Sequence, residues 1–156
     1  MQDFRHLLVW KRAHAFALNV RRAAQAMPRA GYSDLKSQMT RASQSIVDNI
    51  VEGCGASSRL EFARYLDISI KSTSEVDYQL EFARDLGVMS NDVWKPLSKE
   101  VVEIRKMLSA LRRSILAAAA RDETLRPPKR TSREPRRNAA SKRPGERMPE
   151  VPGTDD

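Results

Sequence analysis

Apolar residues along this chain recur at steps of three and four, the spacing that lines one face of an α-helix, and no strand-like alternation competes with it. In a first run Val9, Ala13, Phe16, Val20, Ala23 and Met27 follow this rule, and Pro28 with Gly31 stops it. A second run carries Leu35, Met39, Ala42, Ile46, Ile50 and Gly53, and should close at Gly53 and Gly55 in the left-handed geometry open to glycine. Ser58 and Glu61 then form a capping-box pattern ahead of Phe62, Leu66, Ser69, Thr73, Val76, Leu80 and Ala83, with Gly87 as the stop. The last helix should open near Pro96, a residue suited to a first turn. It carries Leu97, Val101, Ile104, Leu108, Leu111 and Ile115 and runs out through Ala117 to Ala120.

Four amphipathic helices on short connections cannot each bury a stripe alone. An antiparallel up-down four-helix bundle buries all four, so the predicted class is all-α with that topology. In the second helix a polar stripe, Gln38, Arg41, Ser45, Asn49 and Glu52, runs directly beside the apolar one. A polar stripe on the border of a buried one must find hydrogen-bond partners, and the third helix offers Ser72 and Glu75 at the matching border. These seven residues are expected to form a structural polar network that sets helix register, within one chain or between copies, with Arg41 pairing a carboxylate.

Beyond the alanines the composition changes. Six of the eight prolines (Pro127, Pro128, Pro135, Pro144, Pro149 and Pro152) fall here and no aromatic residue does, so packing cannot offset the entropy of ordering. Residues 1–117 are therefore read as the bundle and 118–156 as a disordered, basic, Pro-rich tail. Between Arg126 and Arg147 nine Lys/Arg residues against Glu134 and Glu146 leave +7, including Lys129, Arg130, Arg133, Arg136 and Arg137. Such an arm suits salt-sensitive contact with a polyanion, or serves only to solubilise.

The chain offers poor material for catalysis. A carboxylate-bridged di-iron bundle needs Glu-x-x-His pairs, and neither His6 nor His14 follows a glutamate by three. Cys54, between two glycines near a helix C-terminus, lacks the setting that lowers a thiol pKa, and it has no partner for an internal disulfide. Ser45 has no histidine within reach on its own helix. No catalytic residue, metal site or cofactor is predicted. The N-terminal MQDFRHLLVWKRAH lacks the apolar core and cleavage site of a signal peptide, and no apolar run approaches the roughly 20 residues of a membrane span. A cytoplasmic chain away from membranes is expected.

Net charge is +8, which favours polyanionic partners. On the fourth helix Lys95, Lys99, Lys106 and Arg113 project within about 40° of one another, opposite the core stripe, with Arg105 and Arg112 along one border. Lys11, Arg12, Arg21, Arg22 and Arg29 extend this field on and just after the first helix. No recognition motif or aromatic stacking set accompanies them, and Trp10 and Trp94 read as packing residues.

Val9-Trp10, Ala13, Pro28, Tyr32, Leu35, Gln38, Arg41-Ala42, Ser45-Ile46, Asn49-Ile50, Glu52-Gly53, Ser72, Glu75 and Leu80 together resemble one family. It is the four-helix-bundle proteins encoded in intervening sequences of bacterial large-subunit ribosomal RNA genes, which includes the accessory variability protein of diversity-generating retroelements. The string Q-x-x-R-A-x-x-S-I-x-x-N-I-x-E-G over Gln38–Gly53 is its most specific part. The resemblance implies an antiparallel bundle assembled as a homopentameric ring, with no established catalysis. In the retroelement branch it implies binding to nucleic acid and a reverse transcriptase. Lys71 stands where the family commonly has a small residue, and Met27 where it often has phenylalanine.

The expected function is that of a non-enzymatic homo-oligomeric bundle which binds RNA or DNA electrostatically, as an accessory to a reverse transcriptase or another nucleic-acid enzyme. Its candidate contacts are the six helix-four cations and the five tail cations named above. The alternative from another class is a scaffold that holds an acidic protein partner and no nucleic acid.

Overall fold

The computed structural model describes residues 3–124. After a short 3-10 turn at Phe4–His6 come α1 (Leu8–Ala26), α2 (Ser33–Cys54), α3 (Arg59–Asp85) and α4 (Asn91–Thr124), with no strand among the described residues. Each helix packs on its neighbours in sequence and α1 also packs on α4, while the diagonal pairs stay apart. Contacts across α2 and α3 run in opposite senses: Ser45 meets Ser72, Ile46 meets Ser69, and Gly53 meets Phe62. The same reversal holds for α3 and α4, where Asp77 meets Ser98, Thr73 meets Arg105 and Arg59 meets Asp122. Consecutive helices are therefore antiparallel, and the bundle is the one the apolar stripes demand.

Phe16 and Val20 of α1, Met39, Ile46 and Ile50 of α2, Leu66, Val76 and Leu80 of α3, and Val101, Ile104 and Leu108 of α4 are fully buried along the bundle axis. Each large apolar side chain removed from water contributes about 1.5–3 kcal/mol, so two or three of them hold each helix in place. Met27 is buried as well, filling its position at the end of α1 with a flexible apolar chain. Lys71 points outward and pairs with Asp67 one turn back, so its stem stays out of the bundle.

The helix ends follow from local chemistry. Lys36 donates from Nζ to the Met27 carbonyl just past the end of α1, at 3.0 Å. At the start of α3, Ser58 Oγ accepts from the Glu61 N–H at 3.1 Å, while Glu61 Oε2 accepts from the N–H and hydroxyl of Ser57. The reciprocal arm of the capping box thus lands one residue earlier than the motif implies. Gly87 takes φ +73° and closes α3, letting Val88 N–H reach the Ala83 carbonyl.

Three boundaries differ from expectation. Neither Gly53 nor Gly55 adopts positive φ, since the left-handed glycines among the described residues are Gly31 and Gly87. Gly53 is instead needed for space, because a Cβ there would stand 2.5 Å from the Phe62 ring and 3.1 Å from Tyr65 Cβ. The fourth helix opens at Asn91, not near Pro96, with Trp94 N–H bonding back to the Ser90 carbonyl at 2.9 Å. Pro96 then lies one turn inside and forfeits only the bond to the Asp92 carbonyl in the first turn. Finally, α4 continues past residue 117 to Thr124, carried by the strongly helix-forming alanines and by the Arg59–Asp122 ion pair.

Candidate functional site

Charge is distributed unevenly around the bundle. On α1 four Lys/Arg residues face no carboxylate, and on α4 seven face five, which gives the adjacent α1 and α4 a combined +6. On α2 and α3 six Lys/Arg residues meet nine carboxylates, a net −3. In the ring order of the bundle these pairs occupy opposite sides, so the molecule carries a basic face and an acidic one.

The helix-four cations divide into two groups. Lys95, Lys99, Lys106 and Arg113 are exposed, Lys106 with its ammonium 2.8 Å from Glu103. That hydrogen bond and charge, with smaller contributions from Arg12 and Lys99, hold the Glu103 carboxyl below its ordinary range. Arg105 and Arg112 turn back into the α3/α4 seam. Arg105 donates from Nε to Thr73 Oγ1 and from Nη2 to the Thr73 carbonyl and Asp77 Oδ2, at 2.9, 3.2 and 2.9 Å. Arg112 Nε, buried, lies 3.6 Å from Asp67, too far for a hydrogen bond. These two arginines hold helices together. The tail residues Lys129, Arg130, Arg133, Arg136 and Arg137 lie outside the described residues.

On α1, Lys11 and Arg22 are exposed on the basic side, while Arg21 is exposed toward α2, near Lys36 and Arg41. Arg12 is not available: its guanidinium grips Glu100 of α4 in a two-pronged pair, Nε–Oε1 2.8 Å and Nη2–Oε2 2.7 Å, which raises its pKa further. Beside this clamp α1 and α4 separate into an open groove of about 690 Å³, whose apolar lining includes Ala15, Ala23, Val93 and Pro96. Periodicity gives no sign of such a groove, because it arises from the mismatch of side-chain sizes on two different helices.

The predicted polar network is assembled in part. Ser45 and Ser72 share a hydrogen bond at 2.9 Å, and Asn49 Nδ2 donates to the Ser45 carbonyl and hydroxyl at 2.7 and 3.1 Å. Antiparallel register sets Arg41 across from Glu75, yet among the described residues Arg41 makes no ion pair, and Gln38, Arg41, Glu52 and Glu75 are all exposed. Glu75 accepts only a long contact from Gln79 Nε2, at 3.4 Å. The exposed apolar side chains of Ile68 and Phe82 flank this row on α3.

Burial and the nearby Asp3 charge push the Cys54 thiol up, the reverse of what a reactive thiolate requires. The indole N–H groups of Trp10 and Trp94 are buried without partners. Trp10 stacks on His14 and Trp94 lies under the Arg84 guanidinium, so both act in packing. No helix of the described residues is long and apolar enough to cross a membrane.

Among proteins with curated descriptions, none matches this chain. Among solved structures, the bundle is similar to the crystal structure of a protein of unknown function from the S23 ribosomal protein family of Bacteroides thetaiotaomicron VPI-5482. The TM-score is 0.64 at 24% identity, covering 67% of this chain and 98% of that one. Residues 5–110 match the model of the 23S rRNA-intervening sequence proteins, which spans the four helices up to the last turns of α4. With most of its length matched, the chain belongs to the 23S rRNA-intervening sequence protein family.

Proposed function

We propose that this chain is a non-enzymatic, self-associating bundle that binds RNA or DNA electrostatically through its α1/α4 face, as an accessory to a reverse transcriptase or another nucleic-acid enzyme. The observation that carries this reading is the separation of charge, +6 on α1 with α4 against −3 on α2 with α3. Lys11, Arg22, Lys95, Lys99 and Arg113 have no carboxylate partner among the described residues. Cations without internal partners release counterions when phosphates replace them, which gives sequence-tolerant, salt-sensitive binding.

Self-association is supported from the other side of the bundle. Gln38, Arg41, Glu52 and Glu75 stand exposed beside Ile68 and Phe82, a mixed apolar and charged surface that a second copy can satisfy. The family resemblance makes a pentameric ring the specific form proposed. A ring repeats each basic face around a circle, so weak phosphate contacts add through effective concentration.

Two measurements test the reading. Retention of nucleic acid should fall steeply with salt, and reversing Lys99, Lys106 and Arg113 to glutamate should weaken it without lowering thermal stability, since these side chains face solvent. Light scattering should show an oligomer, weakened by Arg41→Ala. Absence of salt-dependent retention at low ionic strength, together with capture of an acidic protein by the same face, replaces this reading with that of a protein scaffold.

A further inference from the structure

We propose that the groove between α1 and α4 receives unpaired bases, so that the basic face prefers single-stranded nucleic acid to duplex. The inference rests on the nucleic-acid reading above and names the form of nucleic acid that the site takes. On α1, Ala15, Asn19 and Ala23 fall at successive helical turns and are too short to reach α4. Opposite them stand Val93 and Pro96, also short, and the space between stays open. Its volume of about 690 Å³ lies within the range of sites that bury small organic groups, roughly 300–1,000 Å³.

The α1 bank of the groove is cationic. Lys11 and Arg22 lie along the α1 bank, and Arg22 is held there by Asn19, whose Oδ1 accepts from Nη1 at 3.0 Å. Lys95 and Lys99 of α4 lie outside the groove, in the neighbouring hollow on the other side of Pro96. Arg12, the remaining cation of the groove, is already neutralised by Glu100. An apolar floor beside unneutralised cations calls for a ligand that is anionic along one edge and largely apolar next to it. A duplex keeps its base faces stacked inside and offers only phosphates to such a surface. A single strand can lay its phosphates along Lys11 and Arg22, continue over Pro96 to Lys95 and Lys99, and turn bases down onto the floor. The contacts with Ala, Val and Pro are non-directional, and Phe16 beneath them is buried, so no stacking platform or base-edge reader selects one base over another.

The experiment measures binding of the full chain to three labelled probes by fluorescence anisotropy: a short single strand, the same strand with abasic sugars throughout, and a duplex with as many phosphates. The intact strand should bind about tenfold tighter than its abasic counterpart and tighter than the duplex. Filling the groove with Ala15→Leu and Ala23→Leu should erase the difference between intact and abasic strands while duplex affinity and melting temperature hold. Both positions are helical, and leucine is a strong helix former, so the filled protein should fold. Equal binding of intact, abasic and duplex probes, unchanged by filling, overturns the base site and leaves the electrostatic reading standing. Loss of all nucleic-acid binding removes both. An acidic amphipathic peptide that binds the original but not the filled protein, while oligonucleotide affinity is the same for the two, assigns the groove to a protein partner and likewise overturns the proposal.

Discussion

The seams α2/α3 and α1/α4 are both lined with small residues, and they do opposite things with them. At the first, Gly53 lets α3 come so close that Phe62 and Tyr65 fill the space a side chain would need. Ser69 reaches across to the Ile46 carbonyl at 2.9 Å, and Ser45 bonds to Ser72, so the small polar groups there are satisfied by the neighbouring helix. At the second, Ala15 and Ala23 face Val93 and Pro96, and the space between them stays open above Phe16 and Leu97. One two-pronged ion pair, Arg12 with Glu100, spans the gap beside the groove. A small residue therefore says little by itself. What stands opposite it decides whether it closes a seam or leaves one open.

The sharpest way to break this contrast is to make the same kind of change on both sides. Gly53→Ala places a methyl group against the Phe62 ring and Tyr65, and overpacking of a filled seam should cost about 1–3 kcal/mol in urea unfolding. Ala15→Leu adds more volume to the open groove and should leave stability within about 0.5 kcal/mol. Equal losses from the two substitutions would mean that the seams are packed alike.

The four helices are legible in the sequence because the core stripe depends only on the angle of each residue about its own axis. Ser58 and Gly87 mark their boundaries through local geometry. Pro96 misleads because proline is readable as a first-turn residue, while Ser90, Asn91 and Asp92 give the truer start. The site is less legible for a different reason. Periodicity places Arg105 and Arg112 on one border of the basic face of α4, but it does not say that Asp77 and Asp67 of α3 lie within reach of them. In the same way Arg41 and Glu75 occupy the borders assigned to them, while their polarity is left to solvent or another chain and the shorter Ser45 and Ser72 make the contact.

Charge offers a second contrast between the faces. Lys95→Glu with Lys99→Glu should lower affinity for a single strand about tenfold at low salt and reduce the salt slope by roughly two, one phosphate contact for each cation. Lys71→Glu on the acidic face, where Lys71 already pairs with Asp67, should change neither quantity measurably. Competition binding across a salt series checks both, and a matching loss from Lys71→Glu would remove the case for a preferred face.

A smaller effect concerns what closes the open seam. Arg12→Ala, Glu100→Ala and the double variant form a cycle whose coupling should be about 1 kcal/mol, more than an ordinary surface pair because the contact is two-pronged, but limited because about a third of each side chain stays exposed. The corresponding cycle of Arg105 and Asp77 should show a different pattern. Removing Arg105 also strips Thr73 of two contacts, so Arg105→Ala should cost more than Asp77→Ala. Chemical denaturation of the six variants separates the two outcomes, and a coupling near zero between Arg12 and Glu100 would show that α1 is held by its core stripe alone.

The smallest expected effect lies at the rim of the tight seam, where Glu61 accepts from the hydroxyl and N–H of Ser57 at the start of α3. Those hydrogen bonds, the hydroxyl's first, hold the Glu61 carboxyl below the ordinary value of 4.5. A carboxyl depressed in the folded state binds its proton more readily once unfolded, so its contribution to stability is complete above that ordinary value and is lost as pH falls through the depressed one. Protonation should therefore loosen the first turn of α3 in that acidic window while leaving the buried stripe of Leu66, Val76 and Leu80 in place. The readout is the protection factor of the Ser57 amide, its exchange relative to an unstructured amide at the same pH, which should fall as the pH drops below 4.5 in the original chain and be insensitive to that drop in Glu61→Ala. Exchange at Gly53, deeper in the same seam, should not follow it, because that position is secured by the packing of Phe62 rather than by a titrating group. Coincident loss of protection at Ser57 and Gly53 would mean that the tight seam opens as one unit from its capped end.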